Sequence, residues 1–185
     1  MFDFEDTTLL FDATNILYRC FYANQNEDID TVSSLAMHMT LFNMNKYHRK
    51  HNATRIVLAF DRSSWRKKYT YSERCISKKP YKGNRRKKMS PSDKVRYDAF
   101  LRHCELFEEM MVNSTSIICL AGKGLEADDL IAGYCQNFQD ENIIIISRDK
   151  DFIQLLQYDH VSIIDPDKDK ELTLEQWDDD AGYFM

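Results

Sequence analysis

Within the stretch GKGLEADDLIAGYCQ (residues 122–136), three carboxylates crowd four positions ahead of an apolar, helical-looking run: Glu126, Asp128 and Asp129. Like charges so close, if folded inward, repel by on the order of a few kcal/mol unless a cation lies between them. A helix start explains part of this, because the unpaired N–H groups and macrodipole of a first turn favour acids. It leaves out the acids that close other apolar runs. Asp12 ends TTLLFD, Asp61 ends RIVLAFD, and Asp149 and Asp151 follow NIIIIS. If these runs are parallel strands, their carboxyl ends share one edge, where ligands of open α/β sheets bind. Seven carboxylates from four segments then converge: Asp12, Asp61, Glu126, Asp128, Asp129, Asp149 and Asp151. Such a set needs divalent cations, and all-oxygen ligands select Mg²⁺ or Mn²⁺ over zinc. At about 100° per residue, positions 126, 128 and 129 cannot all share one helix face. Glu126 is therefore expected in the loop before the helix, reaching back with its longer side chain.

A second feature carries the opposite charge. Residues 62–91, RSSWRKKYTYSERCISKKPYKGNRRKKMSP, hold twelve of the 25 Lys and Arg and one acid, Glu73. The segment is +11 and the remainder −16, within a net charge of −5. A basic run by itself is usually a solvated face. Here Trp65, Tyr69, Tyr71 and Tyr81 interleave with the cations, the composition that grips phosphates and stacks on bases. Candidate nucleic-acid contacts are Arg66, Lys67, Tyr81, Lys82, Arg85, Arg86, Lys87 and Lys88.

The elements that must position these groups are legible as alternating patterns. Five short apolar runs read as buried strands, at 7–12, 55–61, 116–121, 142–149 and 160–165. Between the first two, Val32, Leu35, Ala36, Met39 and Phe42 recur at helical spacing. A second helix opens on Ser90-Pro91 and carries Val95, Ala99, Cys104, Phe107 and Met111 along one stripe. DDLIAGYCQNF and DKDFIQLLQ supply further helices. Strand–helix alternation implies an α/β fold with a mostly parallel sheet covered on both faces. Asp165, in DPDKDKE, reads as surface turn chemistry. The basic stretch is too long for an ordinary connection and reads as a functional excursion.

Bulk properties bound the rest. A chain of 185 residues, 43% hydrophobic, can bury one substantial core and is most simply a single domain. Five scattered cysteines with no CxxC pair argue against a disulfide framework or zinc site and fit reduced thiols inside a cell. No apolar run reaches membrane-spanning length, and MFDFEDTT lacks the features of a signal peptide.

Taken together and in order, DATNILYR (12–19), LAFD (58–61), YKGNR (81–85), GLEADD (124–129) and SRDKDF (147–152) resemble the 5′-nuclease, or flap endonuclease, family. The likeness is nearest to bacteriophage enzymes of the ribonuclease H and 5′–3′ exonuclease type and to the matching domain of bacterial DNA polymerase I. The resemblance implies a PIN-like α/β domain that hydrolyses phosphodiesters of DNA or RNA–DNA near 5′ ends with two divalent metals, in replication or repair. It gives Asp12, Asp61, Glu126 and Asp128 to the first metal and Asp129, Asp149 and Asp151 to the rest of the metal site. Lys82 matches the basic residue at the base of a helical arch, within the excursion at 62–91, and Arg19 another phosphate contact. Tyr81 would stack on the nucleotide beside the scissile bond, and Arg85 and Arg86 would guide the 5′ strand.

One departure matters. Family members continue with a Gly-Asp…Asp-Asn motif and a helix–three-turn–helix unit, which is expected to be absent here. Asp178, Asp179 and Asp180 lack that motif's spacing and read as a solvated helix segment. A weak second metal position follows as an expectation, with a separate C-terminal chain or a single-stranded-DNA-binding protein as candidate partners. The setting implied is the cytoplasm of a bacterium or phage-infected cell. Two other readings stay open: a PIN-type ribonuclease, and a nucleic-acid-binding module inactive without a partner chain.

Overall fold

The computed structural model of the chain describes residues 6–23, 26–76, 81 and 90–174. Six strands form one sheet: β1 (Thr7–Asp12), β2 (Arg55–Phe60), β3 (Ile118–Ala121), β4 (Asn142–Ile146), β5 (Val161–Asp165) and β6 (Lys170–Glu171). Their order is β3-β2-β1-β4-β5-β6, parallel except for β6, which runs antiparallel at one edge. The chain winds from β1 through β2 to β3, then crosses back to the other side of β1. That reversal lies between β1 and β4, so the crevice at their carboxyl ends is where such a sheet accepts a ligand.

Side-chain alternation divides the sheet into two faces. Leu9, Phe11, Leu58, Phe60, Ile144 and Ile146 point to one face, where α1 (Ala13–Tyr22), α2 (Ile29–Lys50) and α4 (Pro91–Ser114) cover them. Leu10, Val57, Ala59, Ile143, Ile145 and Ile163 point to the other, under α5 (Ala127–Asn137) and a 3₁₀ helix (Lys150–Gln157). Each large side chain withdrawn fully from water contributes about 1.5–3 kcal/mol, and the strands are buried on both faces. The remaining helix, α3 (Trp65–Thr70), opens the basic excursion.

Helix starts follow local chemistry. Asp28 caps α2 by accepting from the amides of Asp30 and Thr31. Ser90 and Asp93 form a reciprocal capping box on α4, with Pro91 at the first helical position.

Four expectations need correction. On α2 the buried row is Val32, Ala36, Thr40, Met44 and Tyr47, whereas Leu35, Met39 and Phe42 are exposed. A single helix face packs inward, and the neighbouring apolar row is left outside. On α4, Val95 is likewise exposed, and Phe100 and His103 join the buried stripe. The third strand is shorter than 116–121 and only half-buried, because it lies at the sheet edge with β2 as its neighbour. Asp165 is not a surface residue. It ends β5 with 7% exposure and accepts the Asp167 amide at 2.9 Å, so the turn is built around a buried carboxylate.

At the edge opposite the acids, Glu141 ties three elements together. It accepts from Thr8 Oγ1 of β1 at 2.5 Å and Tyr134 Oη of α5 at 2.9 Å, and pairs with Arg55 of β2. Thr8 is fully buried, so loss of its acceptor leaves an unsatisfied hydroxyl. Glu141→Ala is expected to cost about 2 kcal/mol in urea unfolding. Adding Thr8→Val should recover part of that cost, since the orphaned hydroxyl is gone; strictly additive losses would show that Glu141 does not act through Thr8.

Candidate active site

Asp12 is both the last residue of β1 and the N-cap of α1, its Oδ1 accepting the Asn15 amide at 2.9 Å. Immediately after β2, Asp61 is held at both ends. Its amide donates to Thr14 Oγ1 at 2.9 Å, and its Oδ1 accepts the Ala127 amide, the first of α5, at 2.7 Å. A helix N-terminus thus points at a carboxylate, which the macrodipole favours.

The loop before α5 is docked by backbone bonds. Trp65 N donates to Gly124 O at 2.7 Å and Arg62 N to Leu125 O at 3.0 Å. Gly124 has φ +82°, a conformation that strains any side chain. This turn carries Glu126 to the α5 N-cap, in the loop as the spacing predicts, with 6% exposure. The Glu126 amide donates to Asp129 Oδ2 at 3.0 Å. Asp149 follows β4 and caps the 3₁₀ helix by accepting the Asp151 amide at 3.0 Å.

Electrostatics single out four of these acids. The Asp12 carboxyl is pushed up to about 8, first by burial and then by the charges of Asp61, Asp128 and Asp149, against the lowering effect of the Asn15 amide. Four segments therefore meet at this rim. The rim offers carboxylate oxygens around a buried acid, which suits a hard divalent cation. Among the described residues, no three His, Cys, Asp or Glu side chains close around a common point. Asp12 and Asp61 accept from helix amides, and Glu126 and Asp129 accept from an arginine.

That arginine is Arg66, at the start of α3. Its Nη1 lies 2.8 Å from Glu126 Oε2 and 3.2 Å from Asp129 Oδ2, and its Nη2 lies 2.5 Å from Asp129 Oδ1. Tyr81 Oη donates to the same Glu126 oxygen at 3.0 Å. Beside them an open cavity of about 620 Å³ is lined by Asp61, Glu126, Lys67, Tyr97, Phe100 and Cys104. The cavity joins two of the acids to a cation and two aromatic rings.

Other expected residues stand farther out. Asp151 is exposed. Arg19 pairs with Asp167 of the β5–β6 turn and lines a small crevice with Asp12, Asn15 and Ser147. Lys82, Arg85, Arg86, Lys87 and Lys88 lie outside the described residues, as do Asp178, Asp179 and Asp180. Sequence reasoning missed Thr14, which orients Asp61, and Arg148, whose Nη1 reaches Asp167 Oδ2 at 2.5 Å. Thr14 sits inside DATNILYR, but nothing in that string marks a bond to a residue 47 positions away.

The sequence profile of the 5′–3′ exonuclease N-terminal, resolvase-like domain matches residues 7–182. The chain belongs to that family. A 5′–3′ exonuclease of Buchnera aphidicola subsp. Schizaphis graminum is 26% identical over 182 residues, covering 95% of this chain and 57% of the relative. Among solved structures, bacteriophage T5 5′-exonuclease with bound zinc superposes with a TM-score of 0.71 at 18% identity. A complex of the T5 flap endonuclease with DNA and metal ions superposes at 0.67 and 19%. Both matches cover 94% of this chain and 60% of the T5 protein. The family member described here thus shares their PIN-like fold and spans about three fifths of the length of these relatives.

A proton-linked test follows from Asp12. A carboxyl raised in the folded state holds its proton more tightly than in the unfolded chain, where it titrates near 3.8. The stability tied to neutral Asp12 is full below pH of about 4 and is lost as pH rises toward about 8. Asp12→Asn cannot ionise. In EDTA its Tm should exceed that of the parent at pH 8, with the gap closing toward pH 5. Parallel pH curves for the two proteins would place Asp12 outside the electrostatic cluster.

Proposed function

We propose that the chain is the catalytic part of a divalent-metal-dependent 5′-nuclease that hydrolyses phosphodiesters of DNA or RNA–DNA near 5′ single-stranded ends. The observation that carries this reading is the buried Asp12 carboxyl, pressed upon by acids from three other segments at the crevice between β1 and β4. Asp12, Asp61, Asp128 and Asp149 would hold Mg²⁺ or Mn²⁺, with Glu126 and Asp129 completing the set and Asp151 at its outer side. Two ions are the expected complement. Such ions, when bound, supply Lewis acidity at the phosphate and lower the pKa of water.

The protein's own groups supply the rest. Lys82 is assigned to the negative charge that develops on phosphorus as water adds and the leaving oxygen departs. Tyr81 would take the base beside the cleaved bond by stacking. Lys67, Tyr97 and Phe100 make the adjoining cavity suitable for a nucleotide, and Arg19 and Arg85–Arg86 for flanking phosphates. The setting proposed is the cytoplasm of a bacterium or phage-infected cell, in replication or repair, with duplex held by a further unit or separate chain.

The test is a 5′-flap DNA and an RNA–DNA substrate incubated with Mg²⁺, Mn²⁺ or EDTA. Cleavage near the 5′ junction should require metal. Asp128→Asn should lower the single-turnover rate by at least about a hundredfold, while the metal-free protein melts no lower than its parent because repulsion is relieved. Metal-independent cleavage, or full activity in Asp128→Asn, would remove the acid rim from the mechanism.

A further inference from the structure

Two of the acids proposed to hold metal, Glu126 and Asp129, are paired with a cation of the chain's own. Arg66 places three N–H···O contacts of 2.5–3.2 Å on Glu126 and Asp129. Its guanidinium also lies 5.5 Å from the Trp65 ring centroid and 5.8 Å from that of Tyr81. A planar fork on two carboxylates is the strong form of an ion pair, and Glu126 is buried enough to demand a countercharge. The Arg66 side chain, in contrast, is about one-third exposed (32%), so it can leave without carrying charge into the interior.

We propose that Arg66 is a resident cation that a divalent metal displaces from Glu126 and Asp129, and that the released guanidinium then serves as a phosphate ligand. The inference rests on the metal-site reading above. Carboxylate oxygens bonded to a guanidinium are not available to close around an ion, so the two cations compete. Arg66 sits on α3, whose start is fixed to the acid loop by the Trp65–Gly124 backbone bond. Release therefore requires only side-chain rotation. Tyr81 donates to the same Glu126 oxygen, so its contact there responds to the same event. Metal loading is thereby coupled to the availability of one arginine for the incoming strand. Metal affinity is lowered by the fraction of chains in which the fork is closed.

The experiment is Mg²⁺ titration of the metal-stripped protein by calorimetry, with Trp65 emission as the second readout in a Trp177→Phe background. Arg66→Gln keeps length and polarity but removes the competing charge. It should bind Mg²⁺ about tenfold more tightly than the parent, and Mg²⁺ should shift Trp65 emission in the parent more than in the variant. Arg66→Lys, a point charge that cannot fork across both carboxylates, should fall between the two and decides the matter if Arg66→Gln does not fold. Unchanged or weaker Mg²⁺ binding in the variants, with binding intact in the parent, would overturn the competition alone. Absence of Mg²⁺ binding in the parent would overturn the metal-site reading with it.

Discussion

Burying one carboxylate beside three others is the constraint on which this structure turns. Asp12 cannot leave the rim, because it closes the central strand and caps α1. Desolvation and the charges of Asp61, Asp128 and Asp149 raise its pKa to about 8. The surrounding architecture softens that conflict. The first amide of α5 meets Asp61, the Asn15 amide meets Asp12, and Arg66 meets Glu126 and Asp129. None of these supplies the charge of a divalent ion, the role that the proposed function gives to a bound metal.

The scaffold can sustain this conflict because its strength lies elsewhere. β1 is flanked on both sides by parallel partners, with Leu10 level with Val57 and Ile145. Apolar layers cover both faces of the sheet. Glu141 fastens β1, β2 and α5 at the far edge, away from the acids. Repulsion at one edge is thus separated from the core that holds the strands in register, a common division between stability and site in open α/β sheets.

The α/β fold was readable from β-branched runs alternating with helical stripes, and the meeting of acids at one rim from their places at successive strand ends. Those signals are local and periodic. What sequence could not settle depends on tertiary choice. Two apolar rows run along α2, and only packing decides that Val32 and Ala36 go in while Phe42 stays out. Asp165 looks like turn chemistry because its burial comes from the sheet around it. Asp129, counted with the metal acids, also accepts from the Glu126 amide and from Arg66, and neither bond is marked in the sequence. Arg66 itself was read as a candidate nucleic-acid contact, and its pairing with the acids was not legible, since its partners lie 60 and 63 residues away.

The central claim, that the acid rim is a cation site left with partial compensation, is tested most directly by melting the metal-stripped protein at pH 8 against increasing Mg²⁺ and Mn²⁺. Binding to the folded state alone should raise Tm steadily with metal concentration, following mass action. The Asp61→Asn/Asp149→Asn double variant should start from a similar or higher Tm and respond little. A Tm that stays flat across the titration in the parent, or that rises equally in the double variant, would contradict the account.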